Sequence, residues 1–291
     1  MRILITGKNG QVGYELERSL QSSGEIIALD RHQMDLSNLD ELRKVIRAIK
    51  PNLIINAAAY TAVDKAESEP ELAMLINGKA PGVMAEEAKK LNAALIHYST
   101  DYVFDGKKST PYVETDQTCP INVYGVTKLA GEQAIQQVGI PYLIYRTSWV
   151  YGMRGKNFLL TVLRLAKERN ELSIVADQYG SPTWCRTIAD ITANVLTQSQ
   201  WKVSNQEWWE QNSGIYHLTG QGHTNWFDFA QAILKNAVGT KLPLVKPLTT
   251  SEYPLPAKRP EYSVISSNKV LNNFCEIPDW EYALKLCLGS I

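Results

Sequence analysis

Short apolar runs alternate with longer amphipathic stretches along the first half of the chain. RILIT (2–6) reads as a strand, and QVGYELERSLQSSG (11–24) follows with apolar positions at helical spacing and a glycine stop. EIIALD (25–30) is a second strand, NLDELRKVIRAIK (38–50) a helix and NLIINAA (52–58) a third strand. A long helical region over 69–91 leads to the strand AALIHYST (93–100), then a helix over 122–138 and the strand PYLIYRTSW (141–149). Strands that are apolar along their whole length suit a parallel sheet covered on both faces. The alternation predicts an α/β fold, a doubly wound Rossmann-type parallel sheet forming a dinucleotide-binding domain over 1–150.

After residue 150 the rhythm changes. Helical stretches at 156–169 and 225–237 flank shorter runs, and Pro243, Pro247, Pro254, Pro256 and Pro260 crowd one region. Residues 151–291 are expected to form mainly a smaller, mixed substrate-binding lobe, with 188–198 and 214–219 returning to the nucleotide domain. QWKVSNQEWWEQNSG (200–214) carries Trp201, Trp208 and Trp209 and reads as a surface loop with packed tryptophans, for which no function is assigned.

Charge narrows the partners. The chain has 291 residues with 30 basic and 30 acidic side chains, so no net field favours nucleic acid or an anionic membrane. Cys119, Cys185, Cys275 and Cys287 are far apart and, with four scattered histidines, give no zinc spacing; four reduced thiols are expected. MRILITG runs straight into an apolar strand without a signal-peptide pattern, and no apolar run approaches the ~20 residues of a membrane helix. A soluble cytoplasmic protein is the expectation.

The first strand ends in GKNGQVG, with Gly7, Gly10 and Gly13 around Gln11 and Val12. Such a turn lets backbone approach a pyrophosphate, while the helix that follows offers free N–H groups to it. Asp30 ends the second strand, where an acid would bind an adenosine ribose. Asp30 favours the 2′-hydroxyl of NADH and Arg31 the 2′-phosphate of NADPH, so either cofactor is open. In MDLSN, Asp35 and Leu36 lie where adenine would sit, although Asp35 serves equally as a cap for the next helix. Ala57, Ala58 and Ala59 end the third strand, leaving room for the cofactor or simply packing tightly.

Ligands of open α/β sheets bind beyond the carboxyl ends of the strands. STDYVFDG (99–106) places Thr100, Asp101 and Tyr102 at that edge. The helix after it carries YGVTK, in which Tyr124 and Lys128 lie one turn apart on one face. An ammonium there would lower the tyrosine's pKa and suit it for proton donation. For Thr100 the alternative is a strand-end hydroxyl that satisfies backbone.

The glycine turn, the strand-end hydroxyl and YxxxK together resemble the extended short-chain dehydrogenase/reductase family. NAAAYTAVDKAE (56–67), STDYVFDG, YGVTKLAGE (124–132), RTSWVYG (146–152), DQYGSPT (177–183) and KRPEYS (258–263) narrow the resemblance to its dTDP-4-dehydrorhamnose reductase branch. That resemblance implies Thr100, Tyr124 and Lys128 as catalytic residues, Asp101, Tyr102 and Trp149 at the deoxysugar, and Asn157 and Arg259 on the nucleotide-sugar side. It implies reduction, by NADPH or NADH, of the C4 ketone of dTDP-4-dehydro-β-L-rhamnose to dTDP-β-L-rhamnose. Family members have been described as dimers bridged by a divalent ion through acidic side chains. Glu15 and Asp190 stand at suitable places, but Arg186 occupies a position expected to be acidic, so a homodimer is expected without a metal site. Other readings are another nucleotide-sugar reductase or epimerase on the same fold, and a non-catalytic subunit resembling the regulatory subunit of methionine adenosyltransferase.

Overall fold

The computed structural model describes residues 1–199, 206–237 and 242–289. The alternation builds β1 (Arg2–Thr6), α1 (Gln11–Ser19), β2 (Glu25–Leu29), α2 (Leu39–Ile49) and β3 (Leu53–Asn56). Next come α3 (Val63–Ala66), α4 (Pro70–Met74), a π-helical turn (Leu75–Lys79), α5 (Ala80–Leu91) and β4 (Ala94–Thr100). A short 3-10 turn (Asp101–Val103) leads to α6 (Val123–Val138) and β5 (Tyr142–Thr147). Asn38 and Asn122 start α2 and α6 by accepting the N–H of the residue three on, and Gly139 ends α6 in the left-handed region. Asp35, weighed above as the cap of α2, bonds Ser37 instead, because Asn38 already holds the capping position.

Later segments complete the sheet. β6 (Val150–Tyr151), α7 (Phe158–Glu168), β7 (Glu171–Val175), β8 (Tyr179–Gly180) and β9 (Thr183–Trp184) precede α8 (Cys185–Gln198), α9 (Gln206–Asn212) and β10 (Gly214–His217). β10 pairs parallel with β5, giving a six-stranded parallel sheet in the order β2-β1-β3-β4-β5-β10. One face is covered by α1 and α8, whose Leu16, Ile188 and Val195 pack over Ile3, Ile5 and Ile55. The other carries α2, α5 and α6, with Leu42, Met84 and Ile135 over Leu4, Ile54 and Leu95.

The rest is β11 (Thr224–Asn225), α10 (Trp226–Asn236), β12 (Leu244–Leu248), α11 (Asn268–Asn273) and α12 (Trp280–Leu288). α7, α10 and α12 enclose a separate core of Leu159, Val162, Phe229, Ile233, Trp280 and Leu284. Pro247 is accommodated in β12 because, among the described residues, that strand pairs only with β7 and leaves an edge. The surface loop expected over 200–214 differs in its described part. α9 is helical and Trp209, 2% exposed, belongs to the main core beside Tyr216, while Trp201 lies outside the described residues.

α6 presses unusually close to its neighbours. A Cβ on Gly131 would overlap the Asn77 carbonyl oxygen of the π-helical turn, and one on Gly125 the Tyr102 carbonyl oxygen. The face so buried is charged. Glu132 and Arg146, 1% and 3% exposed at their side chains, pair through three contacts, Nη2–Oε2 at 2.7 Å, Nε–Oε1 at 3.0 Å and Nε–Oε2 at 3.2 Å. Ser99 Oγ donates to the same carboxylate at 2.5 Å. Removing one partner strands a buried charge, at a cost of about 3–5 kcal/mol, whereas replacing both leaves none. Arg146→Leu is therefore expected to lower unfolding stability by that amount, measured in urea, and Glu132→Leu/Arg146→Leu by clearly less. Equal losses in the two proteins would contradict this account of the pair.

Candidate active site

The glycine turn sits where β1 passes into α1. Gly7 has φ +72°, and a Cβ on it would stand 3.0 Å from Ala58 backbone at the end of β3. A Cβ on Gly13 would overlap the Gly7 carbonyl oxygen. Side chains at either position would fill the cradle between β1, β3 and the start of α1. Gly10 caps α1 without a side-chain acceptor, so the first-turn N–H groups of Gln11 and Val12 receive no cap from it. The shape and the donors fit a dinucleotide pyrophosphate.

At the adenosine end, Asp30 accepts the N–H of His32 at 3.0 Å and of Gln33 at 3.2 Å, and Lys8 Nζ lies 3.6 Å from its carboxylate. Partial desolvation raises its pKa, but these N–H groups and Lys8 together bring it below the usual value. Arg31 is mostly exposed and reaches Asp35 at 3.8 Å. Leu36 is buried in the core beneath α2. Ala57, Ala58 and Ala59 are partly exposed in sequence after β3.

The carboxyl end of β4 collects the second group. Thr100 Oγ1 accepts the Tyr102 N–H at 3.2 Å and donates to Asp101 Oδ1 at 3.0 Å, and its hydroxyl adjoins that of Tyr124 and favours the phenolate. One threonine proton thus stands between a carboxyl and a phenol. Asp101 is 2% exposed. Burial pushes its pKa up to about 6, although hydroxyls of Ser263, Thr100 and Ser148 hold it down. The Tyr102 and Tyr124 rings meet edge to face at 5.9 Å. Arg259 grips Asp64 of α3 through two bonds, at 2.8 and 3.0 Å, and its charge acts on the nearby Tyr102, so a residue from the far end of the chain joins this cluster.

One expectation is reversed. Lys128 does not lower the Tyr124 pKa: burial pushes Tyr124 up to about 12, the Thr100 hydroxyl opposing and Asp101 adding to it. Lys128 Nζ instead lies 2.5 Å from the Tyr98 carbonyl oxygen and 3.1 Å from His97 Nε2, and burial brings its pKa down to about 8.

Trp149, just after β5, packs against the core enclosed by α7, α10 and α12, and Asn157 precedes α7. Trp149 has φ 47° and stacks on Trp226 with ring centroids 3.5 Å apart. Gly180 leaves space for that ring, since a Cβ there would stand 2.5 Å from Trp149 Nε1. Asn157 caps α7 by accepting the Leu160 N–H and donates to Gln11 Oε1 at 2.7 Å, joining the lobe to the glycine turn. Sequence reasoning missed Trp226, His97, Ser148 and Ser263. Of these only His97 leaves a local signal, a titratable residue inside an apolar strand.

Arg186 lies between Asp190, at 3.0 Å, and Glu15, at 3.4 Å, so its guanidinium joins the two acids weighed above. Among the described residues no group of three or more His, Cys, Asp or Glu side chains is placed to hold a metal. No helix among them is long and apolar enough to cross a membrane.

Comparison with known proteins agrees with the geometry. The family model described as "RmlD substrate binding domain" matches residues 1–291. A dTDP-4-dehydrorhamnose reductase of Burkholderia thailandensis is 49% identical over 298 residues, covering 100% of this chain and 99% of that protein. The crystal structure of a dTDP-4-dehydrorhamnose reductase from Clostridium acetobutylicum superposes with a TM-score of 0.91 at 38% identity, covering 99% of each chain. The reductase from Bacillus anthracis, solved in complex with NADP, gives 0.89 at 37%, covering 100% of this chain and 99% of that one. The chain belongs to the dTDP-4-dehydrorhamnose reductase family.

Proposed function

We propose that the protein reduces the C4 ketone of dTDP-4-dehydro-β-L-rhamnose to dTDP-β-L-rhamnose, using NADPH or NADH, with Tyr124 as proton donor. The observation that carries this reading is the Thr100–Tyr124 hydroxyl pair at the carboxyl end of β4, backed by Asp101. In this proposal residues 1–150 bind the dinucleotide and 151–291 mainly the sugar nucleotide, with 188–198 and 214–219 belonging to the first part.

Gly7, Gly10, Gln11, Val12 and Gly13 would hold the pyrophosphate. Asp30, Arg31, Asp35 and Leu36 would flank the adenosine, and Ala57, Ala58 and Ala59 the nicotinamide side. The bound nicotinamide supplies hydride to the ketone carbon. Tyr124 gives its proton to the ketone oxygen as charge develops there, and Thr100 holds that oxygen in line. A phenol whose pKa is raised to about 12 keeps its proton until that charge appears. Lys128 would offer the nicotinamide ribose the N–H bonds that it does not give to Tyr98. Asp101, Tyr102 and Trp149 would line the deoxysugar, with Asn157 and Arg259 toward the nucleotide.

Tyr124→Phe is expected to lower the rate of NADPH oxidation, followed at 340 nm with the dehydro sugar nucleotide, by about 10²–10⁴-fold. A rate equal to wild type would remove Tyr124 from the mechanism. Asp101 adds a pH prediction. Its folded pKa, about 6, exceeds the ordinary 3.8, so folding favours its neutral form. Stability associated with this group is complete below about pH 4 and is lost as pH rises through 6. Asp101→Asn should then raise unfolding stability by up to about 3 kcal/mol at pH 8 and change it little at pH 4. A difference that does not vary between those pH values would contradict the raised value.

A further inference from the structure

α6 starts on a residue that makes two bonds where a helix cap needs one. Asn122 Oδ1 accepts the Gly125 N–H at 2.8 Å, and Asn122 Nδ2 donates to the Lys258 carbonyl oxygen at 2.7 Å. An amide N–H can only donate and a carbonyl oxygen only accept, so the two partners fix the orientation of the Asn122 amide. Asn122 is 5% exposed, and water does not replace either bond. Serine and aspartate cap helices as well as asparagine does. Aspartate has no proton to give Lys258, and the serine hydroxyl sits on a shorter side chain. The second bond, not the cap, is what requires asparagine.

Lys258 belongs to a segment that reaches the catalytic cluster from the far end of the chain. The Ala257 N–H donates to Asp64 Oδ1 at 3.2 Å, and Arg259 bonds both oxygens of that carboxylate. A Cβ on Gly106 would stand 2.5 Å from the Pro260 Cβ, so the segment also lies close on the turn after β4. Three residues beyond Asp64, Glu67 Oε1 accepts the N–H of Val123, the first residue of α6, at 2.9 Å. These contacts close a ring. Glu67 holds the start of α6, Asn122 ties that start to Lys258, and Arg259 returns to Asp64. Tyr124 is the second residue of the helix so held.

We propose that Asn122 is a positioning residue that fixes the segment bearing Arg259 at a set distance from the helix bearing Tyr124, across the sugar-nucleotide side of the site. The consequence for turnover rests on the reductase reading; the tie itself does not. Without the Lys258 bond, Tyr124 keeps its capped helix, but Ala257–Arg259 is held on one side only. Binding the sugar nucleotide must then order that segment, which costs affinity. The loss falls on KM for the sugar nucleotide rather than on kcat.

Asn122→Ser, which keeps the cap and loses the tie, provides the test. Hydrogen–deuterium exchange of the intact protein would be followed by mass spectrometry. Exchange at Ala257 should be about three- to tenfold faster in the variant, the scale of one hydrogen bond, and unchanged at Gly125. KM for the sugar nucleotide should rise by a similar factor, with kcat within about twofold of wild type. Asn122→Asp, which also caps and cannot donate, makes the same comparison if the serine variant does not fold. Wild-type exchange at Ala257 in the folded variant would overturn the proposal. A fall in kcat with KM unchanged would do so too, because Asn122 would then act on Tyr124 alone. Lack of cofactor oxidation by wild type, with faster exchange in the variant, would remove the reductase reading and leave the tie standing.

Discussion

The arrangement depends on a helix that turns a charged face inward. α6 carries Tyr124, Lys128 and Glu132 at four-residue spacing, and Lys128 and Glu132 are almost fully buried against the sheet. A buried carboxylate is costly unless it is paired and hydrogen-bonded. Arg146 and Ser99 supply those partners from adjacent strands, which fixes the rotation of α6 about its axis. Gly125 and Gly131 then allow the helix to close on Tyr102 and Asn77. With rotation and distance both set, Tyr124 meets Thr100 at the strand end.

Burial acts on this cluster with opposite signs for acids and bases. It lifts Tyr124 to about 12 and Asp101 to about 6, and brings Lys128 down to about 8. Each shift favours the uncharged form. The pairing of Asp64 with Arg259 contributes differently, because the guanidinium holds Asp64 below the usual carboxylate range and keeps that ion pair charged at the edge of the cluster.

What could be read in the sequence was what is encoded locally. Strand and helix periods and the glycine turn each lie within one or two turns of chain, and they gave the α/β class and the cofactor cradle. Spacing and strand-end placement, joined by the resemblance, pointed to Thr100, Tyr124 and Lys128, but not to the direction in which Lys128 points. That direction depends on His97 and the Tyr98 carbonyl, which approach only when β4 is in register beneath α6. Arg259 and Asp64 are 195 residues apart, and the Trp149–Trp226 stack joins the end of the β5 strand segment to α10. No local period encodes contacts of that kind. The stretch around Trp209 was expected to pack its tryptophans, but its polar composition did not reveal that it folds as helix α9.

The most direct measurement follows the hydride. Purified protein would be given NADPH deuterated at the transferable position together with dTDP-4-dehydro-β-L-rhamnose, and the sugar nucleotide examined by NMR. The account requires one deuterium at C4 of dTDP-β-L-rhamnose for each cofactor oxidised. A sugar that is epimerised without net cofactor oxidation, or one that acquires no deuterium at C4, would contradict it.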